Sequence, residues 1–204
     1  MVFTDNLAYS LFSVSFAGLL LLYLTVSVYL SSRKKRNDFS EQMKSAIVPL
    51  LLIGIYMFVM ALWGQLTWPL PGSYNILFYD PMISFGILLI AFSLSVKMGL
   101  KLEYVGFLGL LVGIMVMVYG FYGYSIHLTA APIALLGMYL LYGLAGLLSY
   151  PMSLMYDQLH GMKWDKRIVC QVAFFAFCFL LLLASLLSAY VALSAVPAHL
   201  ASPP

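Results

Sequence analysis

Residues 168–193, IVCQVAFFAFCFLLLLASLLSAYVAL, contain no acidic residue, no basic residue and no histidine. Because a helix of about 20 apolar residues crosses the hydrocarbon core of a bilayer, this run predicts a transmembrane helix. Other runs share its apolar character, at residues 7–30, 46–63, 81–96, 104–122 and 132–150. The sequence therefore predicts an all-α, polytopic membrane bundle of six transmembrane helices that forms a single domain over residues 1–204.

The composition excludes an ordinary soluble domain and favours lipid as the main surroundings of the chain. Of the 204 residues, 64% are hydrophobic and 8% are charged, whereas a soluble domain is about 25% charged. The net charge of +3 is too small to indicate a nucleic-acid partner. Cys170 and Cys178 would lie about 12 Å apart along one helix, too far for a disulfide.

Basic residues predict the orientation of the bundle. All ten Lys and Arg residues lie in the connections at 31–45, 97–103 and 151–167, which alternate along the predicted spans. Because basic loops remain in the cytoplasm, we expect both termini on the extracytoplasmic side. The first span has its basic cluster after it rather than before it, so we expect it to be retained and not cleaved as a signal peptide.

Short patterns predict where three helices begin. Asp38 and Glu41 fit a capping box at the start of the second helix. Asp80 followed by Pro81 fits an N-cap and the first position of the third helix. Pro132, shortly after a threonine, fits the start of the fifth. Aromatic residues near these outer boundaries predict an interfacial belt, formed by Trp63, Trp68, Tyr74, Tyr79, Tyr119, Tyr122 and Tyr124.

Glycines in the fourth span recur on one helical face. Gly106, Gly109, Gly113 and Gly120 are separated by intervals of 3, 4 and 7 residues. Small residues in this pattern favour close packing of two membrane helices. A groove in which a ligand approaches the backbone is the alternative interpretation.

Residues for metal, haem or acid–base chemistry are scarce. His127, His160 and His199 lie in separate connections or in the tail, so only His127 and His199 could form a bis-histidine haem site. The predicted spans hold no ionisable residue at mid-depth, where such groups usually serve a function. We predict no catalytic residue, no cofactor and no metal site. Asp157, one turn before His160, is expected to be a solvated interfacial residue.

The segment WPLPGSYNILFYDP, residues 68–81, gathers polar groups between two apolar runs. One interpretation is an ordered outer loop in which Asp80 caps the following helix. The other is a partly re-entrant segment at the mouth of the bundle that binds a small polar solute or a quinone head. The candidate ligand-binding residues for this second interpretation are Gln65, Thr67, Ser73, Tyr74, Asn75, Tyr79 and Asp80.

Six spans with this segment before the third resemble a family of uncharacterised membrane proteins of archaea and actinobacteria, grouped as a domain of unknown function. The resemblance covers most of the chain, and the WPLPGSYN-type segment is its most specific part. It implies a multi-pass protein of a prokaryotic cell membrane with no assigned activity, and it transfers no catalytic residue.

A sequence echo suggests a 3+3 inverted repeat. Residues 68–80, WPLPGSYNILFYD, and residues 150–157, YPMSLMYD, both run from an aromatic–Pro–aliphatic start to Tyr-Asp. They lie on opposite predicted sides of the membrane, as an inverted repeat requires. Transporters of this kind place their binding site at the repeat interface.

Three function classes remain from the sequence. The first is a small-solute transporter or channel-like protein with residues 64–81 at its mouth. The second is a non-catalytic subunit of a larger membrane complex, such as a respiratory one, with other subunits or further copies of the chain as partners. The third is a quinone- or haem-binding redox protein.

Overall fold

A computed structural model describes residues 6–33, 39–129, 131–157 and 168–201. These residues form six helices that are long and apolar enough to cross a membrane. The helices are α1 (Asn6–Arg33), α2 (Phe39–Thr67), α3 (Ser73–Met98), α4 (Glu103–Ser125), α5 (Pro132–Asp157) and α6 (Ile168–Ala201). The predicted all-α membrane bundle is confirmed.

The helices form a ring in chain order. Each packs against the next one in sequence, and α6 closes the ring against α1. A weaker contact joins α1 to α3, so α2 lies on the outside of that pair. One end of the bundle carries Lys44, Lys97 and Lys101 and is called the basic end here. The other end holds the α2–α3 connection and is called the Asp80 end.

The α4–α5 pair is held by glycines. Gly106, Gly109, Gly113 and Gly120 are all buried against α5. A Cβ atom on Gly146 would lie 2.6 Å from the Cα atom of Gly113, so the two backbones touch directly. The packing interpretation of this glycine face is confirmed.

The start of α3 differs from the prediction. The helix begins at Ser73, so Asp80 and Pro81 lie inside it, two turns after its start. Only residues 68–72 separate it from α2, and Trp68 and Gly72 turn the chain there with φ angles of 51° and 52°. The predicted helix start at Asp80, and with it the role of Asp80 as a cap, is wrong. Neither a long outer loop nor a re-entrant segment is formed.

The other predicted helix starts have mixed outcomes. Helix α5 begins at Pro132 as predicted. The predicted capping box lies outside the described part of the chain, which includes neither Asp38 nor the Glu41 side chain. His160 and the side chain of His199 also lie outside it, as do the basic residues at 34–36, 163, 166 and 167.

The two halves of the proposed sequence echo occupy different places. Residues 68–80 form the α2–α3 turn and the first turns of α3, whereas residues 150–157 are the last turns of α5. A 3+3 repeat would pair α3 with α6, so Asp80 and Asp157 are not equivalent. The 3+3 inverted repeat therefore stays a prediction, in which Asp80 and Asp157 are not corresponding residues.

Candidate functional site

Asp80 is the centre of a polar cluster within the bundle. Gln65 on α2 donates from Nε2 to one carboxylate oxygen at 2.7 Å. The hydroxyl of Tyr119 on α4 donates to the other oxygen at 2.6 Å. The half-buried carboxylate therefore joins three helices, and both of its oxygens are occupied by neutral donors.

Asp80 lies inside α3 but not at its middle, so the expectation that the spans hold no ionisable residue at mid-depth is not contradicted. It lies about 10 Å along α3 from Ser73, at 1.5 Å per residue. The chain carries no Lys or Arg in its α2–α3 or α4–α5 connection, the ones at this end. Hydrogen bonds from Gln65 and Tyr119 therefore stabilise the carboxylate in place of a basic residue.

The remaining candidate residues from the sequence do not converge on Asp80. Asn75 is buried and donates from Nδ2 to the Gly64 carbonyl oxygen at 3.0 Å, which fixes the α2–α3 turn. Tyr79 is buried with its ring against Gly64. Three others lie at the surface or pack locally: Thr67 is exposed and bonds to its own helix, Ser73 is exposed, and Tyr74 stacks on Phe78. Of the seven, the structure brings only Gln65 and Asp80 together.

A second polar contact lies one turn from Asp80. Because proline has no N–H group, Pro81 leaves the carbonyl oxygen of Leu77 without its partner in the helix. The hydroxyl of Tyr139 on α5 donates to that oxygen at 2.5 Å. In a bilayer an unpaired carbonyl group is costly, so this bond is what permits a proline inside α3.

A long cavity runs through the bundle beneath this contact. Its volume is about 210 Å³, and α1, α3, α4, α5 and α6 line it, whereas α2 does not. On α3 it extends from Phe78 to Phe92, about 21 Å along the helix axis at 1.5 Å per residue. A sphere of that volume would be only about 7 Å across, so the cavity is narrow as well as long.

The wall of the cavity is apolar, with hydroxyl groups that are already bonded. Tyr156 donates to Thr25 at 2.9 Å, and Thr25 donates to the Leu21 carbonyl oxygen at 2.7 Å. The same holds for further wall residues: Ser149 and Ser153 donate to carbonyl oxygens, and Tyr139 donates to Leu77. The hydroxyl oxygen of Tyr142 accepts a bond from Ser188 at 3.2 Å. Ser10 also lies on the wall. The cavity therefore offers its occupant mainly methyl, methylene and ring carbon.

Asp157 lies at the basic end of the bundle and follows Tyr156, which lines the cavity. Its two carboxylate oxygens accept bonds from the backbone N–H groups of Leu102 and Glu103 at 2.8 and 2.9 Å. These groups belong to the start of α4, where the helix dipole favours a carboxylate. Asp157 is therefore a cap supplied by α5, which corrects the expectation that it is a solvated interfacial residue.

Metal and haem ligands are not assembled in the described residues. They contain no group of three or more His, Cys, Asp or Glu side chains placed to hold a metal ion. His127 is exposed in the α4–α5 connection. The side chain of His199, the other histidine that a bis-histidine haem site would need, lies outside the described residues.

Interior tyrosines are the residues that sequence reasoning missed. The sequence predicts that Tyr119 belongs to the interfacial belt with Tyr122, but the Tyr119 hydroxyl bonds to Asp80, whereas Tyr122 is 70% exposed. Tyr139 and Tyr156 have bonding roles that periodicity alone does not reveal. For Tyr139 the available signal was Pro81, because a proline within a membrane helix frees a carbonyl oxygen that a neighbouring helix can satisfy.

A comparison with protein families assigns the chain to a family. A model for proteins of unknown function, DUF981, covers residues 1–202. The chain belongs to the DUF981 family. The predicted membership of an uncharacterised family is thereby confirmed, and family membership assigns no activity. Searches of curated proteins and of solved structures found no match.

Proposed function

We propose that this DUF981 protein is an integral membrane protein that binds a lipophilic molecule in its central cavity. The carrying observation is a cavity about 210 Å³ in volume whose wall is apolar. An empty space of this kind forfeits dispersion contacts along its whole lining. Water is a poor occupant, because it needs two to four polar partners.

A polar solute or a quinone head has less support. Either would need free hydrogen-bond donors, and those of Tyr139, Tyr156 and Thr25 are directed to protein oxygens. The residues first proposed for a polar mouth are also dispersed, with Thr67 exposed and Asn75 buried in the α2–α3 turn.

A cavity-filling variant tests the proposal. Val112 lines the cavity on α4, whereas the neighbouring Leu111 is 47% exposed on the outer face of the same helix. We expect purified wild-type protein to retain a lipophilic molecule in about equimolar amount, measured by native mass spectrometry. Val112→Phe should lose it and Leu111→Phe should keep it. Equal retention in both variants would contradict binding in the cavity.

Small-solute transport is a second candidate, favoured by the position of Asp80. An acidic residue within a membrane helix is often part of an ion or substrate pathway. In vesicles loaded with a pH-sensitive dye, Asp80→Asn should abolish any proton flux that the wild-type protein catalyses. The same flux in both proteins would remove Asp80 from the transport mechanism.

The orientation and the cellular setting complete the proposal. We place the basic end in the cytoplasm and both termini outside, because all ten Lys and Arg residues lie in alternate connections or in the helix ends that flank them. A prokaryotic cell membrane is the proposed location. If the protein is instead a subunit of a larger membrane complex, partner proteins should co-purify with it in fixed stoichiometry.

A further inference from the structure

The shape of the cavity restricts what can fill it. The wall extends about 21 Å along α3, whereas one leaflet of the hydrocarbon core is about 15 Å thick. The cavity therefore crosses the middle of the bundle. A compact ring system would fill one part of this space and leave the rest empty, whereas a single extended chain would fill it along its length.

The bonding of the wall restricts the chemistry of that chain. The hydroxyl of Tyr156 donates to the hydroxyl of Thr25, which in turn donates to the carbonyl oxygen of Leu21. Ser149 bonds to the carbonyl oxygen of Gly106, and Ser153 to that of Tyr150. Since these donors are used within the protein, a polar group placed between the helices would lose its own hydrogen bonds. A polar headgroup must therefore lie beyond one end of the cavity.

The two ends differ in charge. Leu102, at the basic end, lines the cavity, and the exposed Lys101 precedes it directly. Lys97 lies on α3, little more than one turn beyond Phe92, which also lines the cavity. The described acidic residues near these lysines are Asp157, whose carboxylate is bound to two backbone N–H groups, and Glu103 in the first turn of α4. The opposite end carries Asp80 in its helix wall and no Lys or Arg in its connections.

We infer that the cavity holds one single-chain lipid with an anionic headgroup, its chain parallel to the helices and its headgroup beside Lys97 and Lys101. This inference rests on the proposed function, to which it adds the class of the ligand. The chain fills the apolar space, and the lysines attract the negative charge at the membrane surface, where basic residues act on anionic lipids.

Three lipid probes separate the parts of this inference. Palmitate has a long chain and an anionic head, monopalmitoylglycerol has the same chain and a neutral head, and octanoate has the anionic head on a short chain. Binding is measured on the purified full-length protein by native mass spectrometry, with each probe added at the same ratio. We expect one palmitate per chain, with weaker binding of both other probes.

Lysine variants test the position of the headgroup. Lys97→Gln and Lys101→Gln should each weaken palmitate binding about fivefold, and neither should change the binding of monopalmitoylglycerol. Lys44→Gln is the matched control, because Lys44 is an exposed lysine at the same end on α2, the helix that does not line the cavity. An equal effect of all three variants would overturn the assigned headgroup position.

Cavity variants distinguish failure of this inference from failure of the proposed function. Val112→Phe should abolish binding of palmitate, and Leu111→Phe should not. Val116→Phe, which fills the same cavity one turn away, replaces Val112→Phe if that variant does not fold. Equal binding of palmitate and monopalmitoylglycerol, with both lost in the filled cavity, would overturn only the anionic headgroup. Octanoate binding as well as palmitate would overturn the extended chain. Palmitate binding that survives both filled cavities would overturn the proposed function itself.

Discussion

The hydroxyl of Tyr139 on α5 donates a hydrogen bond to the carbonyl oxygen of Leu77 on α3, 2.5 Å away. That oxygen would accept a bond from residue 81 in a regular helix, but residue 81 is proline and has no N–H group. A side chain from one helix thus completes the backbone of another. The bond lies beside the cavity, since Tyr139 and Pro81 both line it.

Loss of the Tyr139 hydroxyl should cost stability only while Pro81 is present. We expect Tyr139→Phe to destabilise the wild-type protein by about 1 kcal/mol, within the range of hydrogen bonds between membrane helices. In a Pro81→Ala background the helix can bond to Leu77 itself, so Tyr139→Phe should then cost close to nothing. Thermal unfolding of the four proteins in one detergent measures both effects, and equal costs in the two backgrounds would contradict the assigned bond.

Asp80 should respond to substitution as a junction between helices and not as a helix cap. A cap accepts Ser as readily as Asn, but Ser is too short to reach both Gln65 and Tyr119. We expect Asp80→Ser and Asp80→Ala to cost about 1–2 kcal/mol each and Asp80→Asn to cost less, because Asn keeps one acceptor. A double-mutant cycle with Tyr119→Phe should give a coupling of about 0.5 kcal/mol or more. If Ser were tolerated as well as Asn, the junction would be disproved.

Two glycines of α5 should respond in opposite ways to alanine. A Cβ atom at residue 146 would meet the backbone of Gly113, so Gly146→Ala should destabilise the protein by about 1–3 kcal/mol. At residue 137 the nearest atom would be Leu187 Cδ2 at 3.6 Å, an ordinary contact. Gly137→Ala should therefore be neutral or stabilise the helix by up to about 1 kcal/mol. Thermal unfolding of the pair checks the α4–α5 packing, and similar losses at both positions would speak against it.

Cysteine labelling tests the proposed orientation. Starting from a chain in which Cys170 and Cys178 are replaced by alanine, a cysteine at Ser73 should react with a membrane-impermeant thiol reagent in intact cells. A cysteine at Lys101 should react only after the membrane is opened. Both native residues are exposed, at opposite ends of the bundle, so access to the reagent depends on the side of the membrane. The reverse pattern would invert the topology.

Helix number and the α4–α5 contact could be predicted because each depends on one local property. Apolar length predicts a span, and glycine spacing in residues 106–120 predicts a packing face. The predicted start of the third helix was wrong, because Asp80-Pro81 satisfies the local rules for a helix start although the helix begins at Ser73. Those rules do not include Tyr139, which lies two helices further along the chain and makes the proline acceptable within α3.

The candidate site was predictable only in part, because most of its contacts join helices that are distant in sequence. Gln65 and Asp80 were identified as polar residues in an apolar region, and they do contact each other. Their third partner, Tyr119, and the cap that Asp157 places on α4 depend on helix order and rotation. The cavity depends on all the helices that line it together, so no single segment of sequence predicts it.

The order of the helices around the ring governs how the chain assembles. Most neighbouring helices are consecutive in sequence, so each hairpin closes over a short connection and at low entropic cost. The pairing of α6 with α1 is different, because it joins the last helix to the first. Both helices contribute to the cavity wall, so a chain that stops before α6 exposes an apolar groove to lipid. The cavity wall is therefore complete only after α6 has packed against α1.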